Sequence, residues 1–272
     1  VTLPAGLTVI KSMAFSDCTT LQEVVIPETV IKIELGAFHS CSSLAKIVLP
    51  GGLTKIESYV FYGCTALQEV TIPESVTEIE HDAFYGCAGL KTLVLPQGLK
   101  KIGSNAFINC SGLTYIDIPD GVETVGSYIA KDTLQLRCSI GSSAARALSK
   151  GGNSFHADDF QLRYTFDENG AQTGLILYKY TGAAAKVTLP DGVTTIYDEA
   201  FSDCTPLQEV IIPETVIEIR YRAFYMCSSL AKIVLPDGLT KIESSVFCGC
   251  KALQEVNIPE SVTEIGQNAF YD

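Results

Sequence analysis

The chain has 272 residues, a formal net charge of −12 and 47% hydrophobic residues. That apolar fraction is too high for a disordered chain, and no uncharged apolar run is long enough for a membrane span, so this segment is not expected to insert in a bilayer. The acid excess repels phosphates and excludes nucleic acid as a partner. Because the chain starts at Val1 and stops at Asp272 inside recurring units, it reads as a fragment of something longer, and missing targeting signals carry no information.

Prolines recur every 23 residues at 4, 27, 50, 73, 96 and 119, and again at 190, 213, 236 and 259. Self-similarity at a period of 20–29 residues is the signature of a leucine-rich-repeat solenoid, in which each repeat is one coil. Within a unit, Leu21-Gln22-Glu23-Val24-Val25-Ile26-Pro27 has the strand pattern L-x-x-L-x-L. Alternation turns Val24 and Ile26 inward and Glu23 and Val25 outward. Pro27 ends the strand because it has no amide proton for a ladder. Val30-x-x-Ile33 returns along the opposite wall, and Ala37-Phe38-x-x-Cys41 forms a short turn or a single helical turn with Ala, Phe and Cys inside. The fold class expected is therefore a β-rich α/β solenoid of 23-residue coils, with a parallel sheet on its concave face. One Phe per coil (15, 38, 61, 84 and 107, then 201, 224, 247 and 270) should form a continuous buried ladder.

Eight of the ten cysteines (18, 41, 64, 87, 110, 204, 227 and 250) occupy one slot of the unit. Metal sites need close-spaced ligands such as C-x2-C pairs, so this period argues for a ladder of buried, reduced thiols. Cys138 and Cys248 fall outside the slot and are the candidates for reactive thiols. No cofactor or metal is implied.

The repeat fails after about Gly126. Leu134–Cys138 is strand-like, and Ser142–Leu148 reads as a Ser-capped short helix closed by Gly151-Gly152, a suitable end cap for a solenoid. Phe160–Phe166 and Leu175–Tyr180 flank Asp167-Glu168-Asn169-Gly170 and form a β-hairpin. Repeats then resume at Val187, and residues 187–272 match 1–86 at 63 of 86 positions. The expected organisation is an array at 1–128, its cap at 129–157, a hairpin at 158–186 capping a second array, and that array at 187–272.

The motif L-x-x-V-x-I-P-x-x-V-x-x-I-x-x-x-A-F-x-x-C over 1–128 and 187–272 resembles the BspA-like, or Treponema pallidum-type, leucine-rich-repeat family. The resemblance implies a bacterial surface or secreted protein, in a family some of whose members adhere to host extracellular matrix or to other bacteria. It carries over no catalytic residue.

An enzyme is not expected. His39 and His81 stand in different slots, His156 lies outside the arrays, and no Ser or Cys recurs beside them in a nucleophile pattern. The acidic stretches Asp158-Asp159 and Asp167-Glu168 lack the alternating spacing of a calcium loop. The candidate ligand-binding residues are the outward strand positions: Glu23/Val25, Lys46/Val48, Glu69/Thr71, Thr92/Val94 and Tyr115/Asp117, then Glu209/Ile211, Lys232/Val234 and Glu255/Asn257. The Glu–Lys–Glu column pairs opposite charges on adjacent strands and is also self-stabilising. The apolar column beside it points to a partner. The function expected is a non-enzymatic adhesion scaffold that holds a protein ligand, either host matrix or another bacterial surface protein. The alternatives are an architectural stalk and, with only Tyr115 as an aromatic platform on this face, a carbohydrate-binding module. A second, Tyr-rich edge (Tyr59, Tyr62, Tyr85, Tyr221, Tyr225) lies on the turns.

Overall fold

The structure, a computed structural model, describes residues 1–131 and 133–272. The chain divides into two compact units, Val1–Phe155 and His156–Asp272.

In the first unit, short parallel strands pair coil to coil on two walls. On one wall Lys46–Val48 pairs with Glu69–Thr71, in the register Lys46 to Glu69 and Val48 to Thr71. On the other, Lys55–Ile56, Glu78–Ile79, Lys101–Ile102 and Thr124–Val125 form one four-stranded parallel sheet. The longer run of pairing therefore lies on the V-x-x-I wall. On the L-x-x-L-x-L wall Thr92–Val94 carries no assigned strand. The alternation still holds there, since Leu93 and Leu95 are buried while Thr92 and Val94 are exposed.

The Ala-Phe-x-x-Cys segment resolves as a series of turns rather than a helical turn. In the second coil, the amides of Ala37, His39 and Cys41 donate to carbonyls three residues back, on Glu34, Gly36 and Phe38. The alternate amides of Gly36, Phe38 and Ser40 instead donate to Ser58, Val60 and Tyr62 of the next coil, at 2.9, 3.1 and 2.7 Å. A helix would spend every amide within its own segment. Here half of them stitch coils together, which requires left-handed backbone at Gly36 and Ser40 (φ 60° and 56°).

The core is built of ladders. Phe15, Phe38, Phe61, Phe84 and Phe107 stack with ring centroids 5.2–5.9 Å apart. In the second unit Phe201, Phe224, Phe247 and Phe270 stack likewise, with centroids 5.0–5.6 Å apart. Phe15 and Phe270, on the outermost coils described, stay partly exposed.

The interruption packs onto the array in each unit. In the first, Gln135–Arg137 pairs parallel with Tyr115–Asp117. The helix Ser143–Lys150 follows, with the Ser142 hydroxyl accepting from the Ala145 amide. Buried Asn153 then ties helix to array: its side-chain oxygen accepts from the Ile129 amide at 3.1 Å, and its amide nitrogen donates to the Gly126 carbonyl at 3.1 Å. In the second unit the antiparallel hairpin Phe160–Phe166 and Gln172–Tyr180 pairs onward, in parallel, with Val193–Ile196. Tyr180 takes the place of the recurring Phe. Its ring stacks on Phe201 at 5.1 Å, and its amide donates to the Ala200 carbonyl at 2.9 Å, as the Phe15 amide does to Ala37.

Candidate ligand-binding face

Strand alternation places the outward residues as the sequence implies. Glu23, Lys46, Glu69, Thr92 and Tyr115 form one exposed column of the first unit, and Val25, Val48, Thr71, Val94 and Asp117 form the next. In the second unit Ile211, Lys232, Val234, Glu255 and Asn257 are exposed, while Glu209 is half-buried between two lysines. Sequence reasoning passed over three positions on the same face. Lys186, 23 residues before Glu209, begins the second unit's charged column, a signal legible from the period alone. Gln135 and Arg137 extend the first unit's columns beyond Tyr115 and Asp117, through a strand that lacks the repeat motif.

The charged column is knitted together. Lys46 donates to both oxygens of Glu69 at 2.8 Å. Glu209 receives Lys186 at 3.1 Å and Lys232 at 3.2 Å, and hydrogen bonds from Lys186, then Lys232, hold its carboxyl below the usual range. Exposed pairs of this kind contribute little to stability, and each can exchange its partner for a ligand group.

The apolar column has no such internal partner. Val25, Val48 and Val94 are 55%, 49% and 78% exposed, where the alternating strand residues beside them are buried. Between the first two of these valines lies a groove of about 220 Å³, walled by Glu23, Lys46, Val25 and Val48 and floored by Val24 and Ile47. One face of the Tyr115 ring is covered, because the Arg137 guanidinium sits 3.9 Å over its centroid. Arg137 thus competes for the aromatic platform that a sugar would need at this strand-face position.

The Tyr-rich turns are also self-engaged. His39, Tyr62 and Tyr85 stack nearly parallel at 4.9 and 4.7 Å, Tyr59 abuts Tyr62 and His81, and the Ser58 hydroxyl hydrogen-bonds His81 Nδ1 at 2.8 Å. In the second unit Arg222 lies over both Tyr221 and Tyr225, at 4.9 and 4.8 Å. Ring faces are thus engaged by neighbouring rings at His39, Tyr62 and Tyr85, and by Arg222 at Tyr221 and Tyr225.

All ten cysteines are free thiols. Those at 41, 64, 87, 110, 227 and 250 are buried, whereas Cys18 and Cys204 are half-buried. Cys138, expected to be reactive, is half-buried, and desolvation pushes its thiol up to about 12, which disfavours the thiolate near neutrality. Among the described residues no group of three or more His, Cys, Asp and Glu is placed to hold a metal ion, and no helix is long and apolar enough to cross a membrane.

Comparison with known proteins adds the family. The BspA type leucine rich repeat region matches residues 1–114, 32–149 and 175–272. The chain belongs to the BspA-type leucine-rich-repeat family. Of solved structures, a leucine-rich repeat protein from Bacteroides ovatus is similar over 100% of this chain and 84% of its own, with 24% identity and a TM-score of 0.60, which supports the solenoid fold. A leucine rich cell surface protein from Faecalibacterium prausnitzii is 30% identical over 97% of this chain and 61% of its own, with a TM-score of 0.42. The leucine-rich repeat protein of T. pallidum is 24% identical over 85% of this chain and 78% of its own, with a TM-score of 0.38. No curated protein matches the sequence.

Proposed function

We propose that this BspA-type chain is a non-enzymatic scaffold, secreted or displayed on a bacterial surface, that holds a protein ligand on its outward strand face, taken as the concave one. The organisation that serves this role is an array at 1–128, a cap at 129–157, a capping hairpin at 158–186 and a second array at 187–272. The observation that carries the proposal is the exposed column Val25, Val48 and Val94. Solvated β-branched side chains in file on a sheet gain free energy only when something covers them. The flanking charges give such a contact register and orientation. Each coil adds about 4.8 Å of face, so several coils together approach the roughly 800 Å² per partner of a standard interface. A host matrix protein or another bacterial surface protein is the class of ligand, and the test is capture from a panel of purified matrix and surface proteins. Binding that disappears when Val48 and Val94 become Asp supports the reading, and binding indifferent to them contradicts it.

The paired charges Lys46–Glu69 and Lys186–Glu209–Lys232 favour a second reading, a stalk whose face is complete in itself. A stalk captures nothing from the panel.

A further inference from the structure

Building on the strand-face reading, we propose that the element bound there is an amphipathic α-helix lying along the array of the first unit, with its apolar stripe on Val25, Val48, Thr71 and Val94. The reason is a match of periods. The registers Glu23 to Lys46, Lys46 to Glu69 and Val48 to Thr71 place like residues on directly neighbouring coils. Hydrogen-bonded neighbours are about 4.8 Å apart, while a helix turns once every 5.4 Å or so, a mismatch of only about 0.6 Å per coil. Over the three steps from Val25 to Val94 the error reaches about 2 Å, within the reach of a side chain. An extended segment shows the same face only every 6.6 Å or so and falls out of step by about 5 Å over the same distance. A helix therefore delivers one apolar residue per coil, at i, i+3 or i+4, i+7, and i+10 or i+11, which is the spacing of helix-in-groove recognition.

Charge sets the second half of the pattern. Beside the apolar column, Glu23, Lys46 and Glu69 alternate in sign coil by coil and are exposed. Lys46 and Glu69 now satisfy each other across solvent, a weak bond that an incoming charge can replace. The flank of the helix facing them is thus basic, acidic and basic at successive turns. The groove between Val25 and Val48, about 220 Å³, receives the first large apolar side chain of the stripe.

The test is selection of a phage-displayed library of random 16-residue peptides on the whole chain, with counter-selection on Val48→Asp/Val94→Asp and on the milder Val48→Ser/Val94→Ser. Circular dichroism checks that each variant keeps the wild-type fold, and the serine pair serves if the aspartate pair does not. Peptides captured at least tenfold less by the variant, with apolar residues at i, i+3 or i+4, i+7, and i+10 or i+11 and the alternating charged flank, are the expected result. Captured peptides that lose binding to the variant but alternate with period two overturn the helix and leave the strand-face reading standing. Absence of any peptide sensitive to Val48 and Val94 overturns both. Self-association of the wild-type chain in sedimentation, lost in the variant, also overturns the helix, because it assigns the face to a second copy.

Discussion

The Cys41 thiol donates to the Phe15 carbonyl one coil back at 3.0 Å, and the same carbonyl accepts the Cys18 amide at 3.2 Å. The relation repeats from Cys64 to Phe38, Cys87 to Phe61 and Cys110 to Phe84, and from Cys227 to Phe201 and Cys250 to Phe224, each at 3.0–3.2 Å. A cysteine recurs at this slot because it is small, apolar enough for the core, and able to donate weakly to a carbonyl that already serves its own turn. The thiol ladder and the Phe ladder are one structure.

Replacing Phe61 with Ala should therefore cost about 3–5 kcal/mol, because the ring is fully buried between Phe38 and Phe84 and the coils cannot close the gap. Chemical unfolding measures it, and a loss under about 1 kcal/mol would show that the ladder is not a packed core.

Thiol accessibility should sort by coil rather than by slot. Native alkylation followed by mass spectrometry should label the half-buried Cys18, Cys204 and Cys248 first. Cys64, Cys87 and Cys110 should react only on unfolding, since they are buried and desolvation raises each thiol far above neutrality. Cys138 should be slow despite its partial exposure. Labelling of Cys87 in the native chain at the rate of Cys18 contradicts this order.

Asn153 is one of the ties between the segment after Gly126 and the array of the first unit. Asn153→Ala strands the Ile129 amide and the Gly126 carbonyl in a buried site, at a cost of about 1–3 kcal/mol. Asn153→Asp keeps the acceptor but loses the donors, so it should be no better than alanine at neutral pH. A thermal shift of less than a degree for both variants would count against this role.

Acid should loosen the V-x-x-I wall. Burial raises the Glu80 carboxyl, but hydrogen bonds from Lys101 at 2.8 Å and from Lys55 more than offset it, and the folded value falls to about 2 from an ordinary 4.5. A lowered folded value means that the stabilisation is complete above about pH 4.5 and is lost as pH falls toward about 2. Glu80→Gln should remove on the order of 1–2 kcal/mol at pH 7, since both lysines are partly solvated, and should flatten the stability curve through that window. Parallel curves for variant and wild type would rule this out.

Much of this was legible in the residues. The 23-residue step fixes which side chains face in, and Asn-Gly and Ser142 mark the hairpin and the helix correctly. What escaped was set by neighbours rather than by pattern. Cys138 looked free because it leaves the slot, yet burial desolvates its thiol. Tyr180 shows no repeat motif, but its ring continues the Phe ladder. Tyr115 reads as an open platform until Arg137, two strands' worth of sequence later, is brought over it by parallel pairing. Lys186 could have been found by stepping back one period from Glu209.

The most direct test of the central claim compares two surface variants by surface plasmon resonance against a panel of host matrix and bacterial surface proteins. One variant carries Lys46→Glu, Val48→Asp, Lys232→Glu and Val234→Asp on the strand face. The other carries Tyr62→Ser and Tyr85→Ser on the turns. With both variants folded, a panel protein that binds the wild type should lose binding to the first by at least tenfold and keep binding to the second nearly unchanged. Loss with the tyrosine variant and retention with the strand-face variant places the ligand on the turns and contradicts the claim.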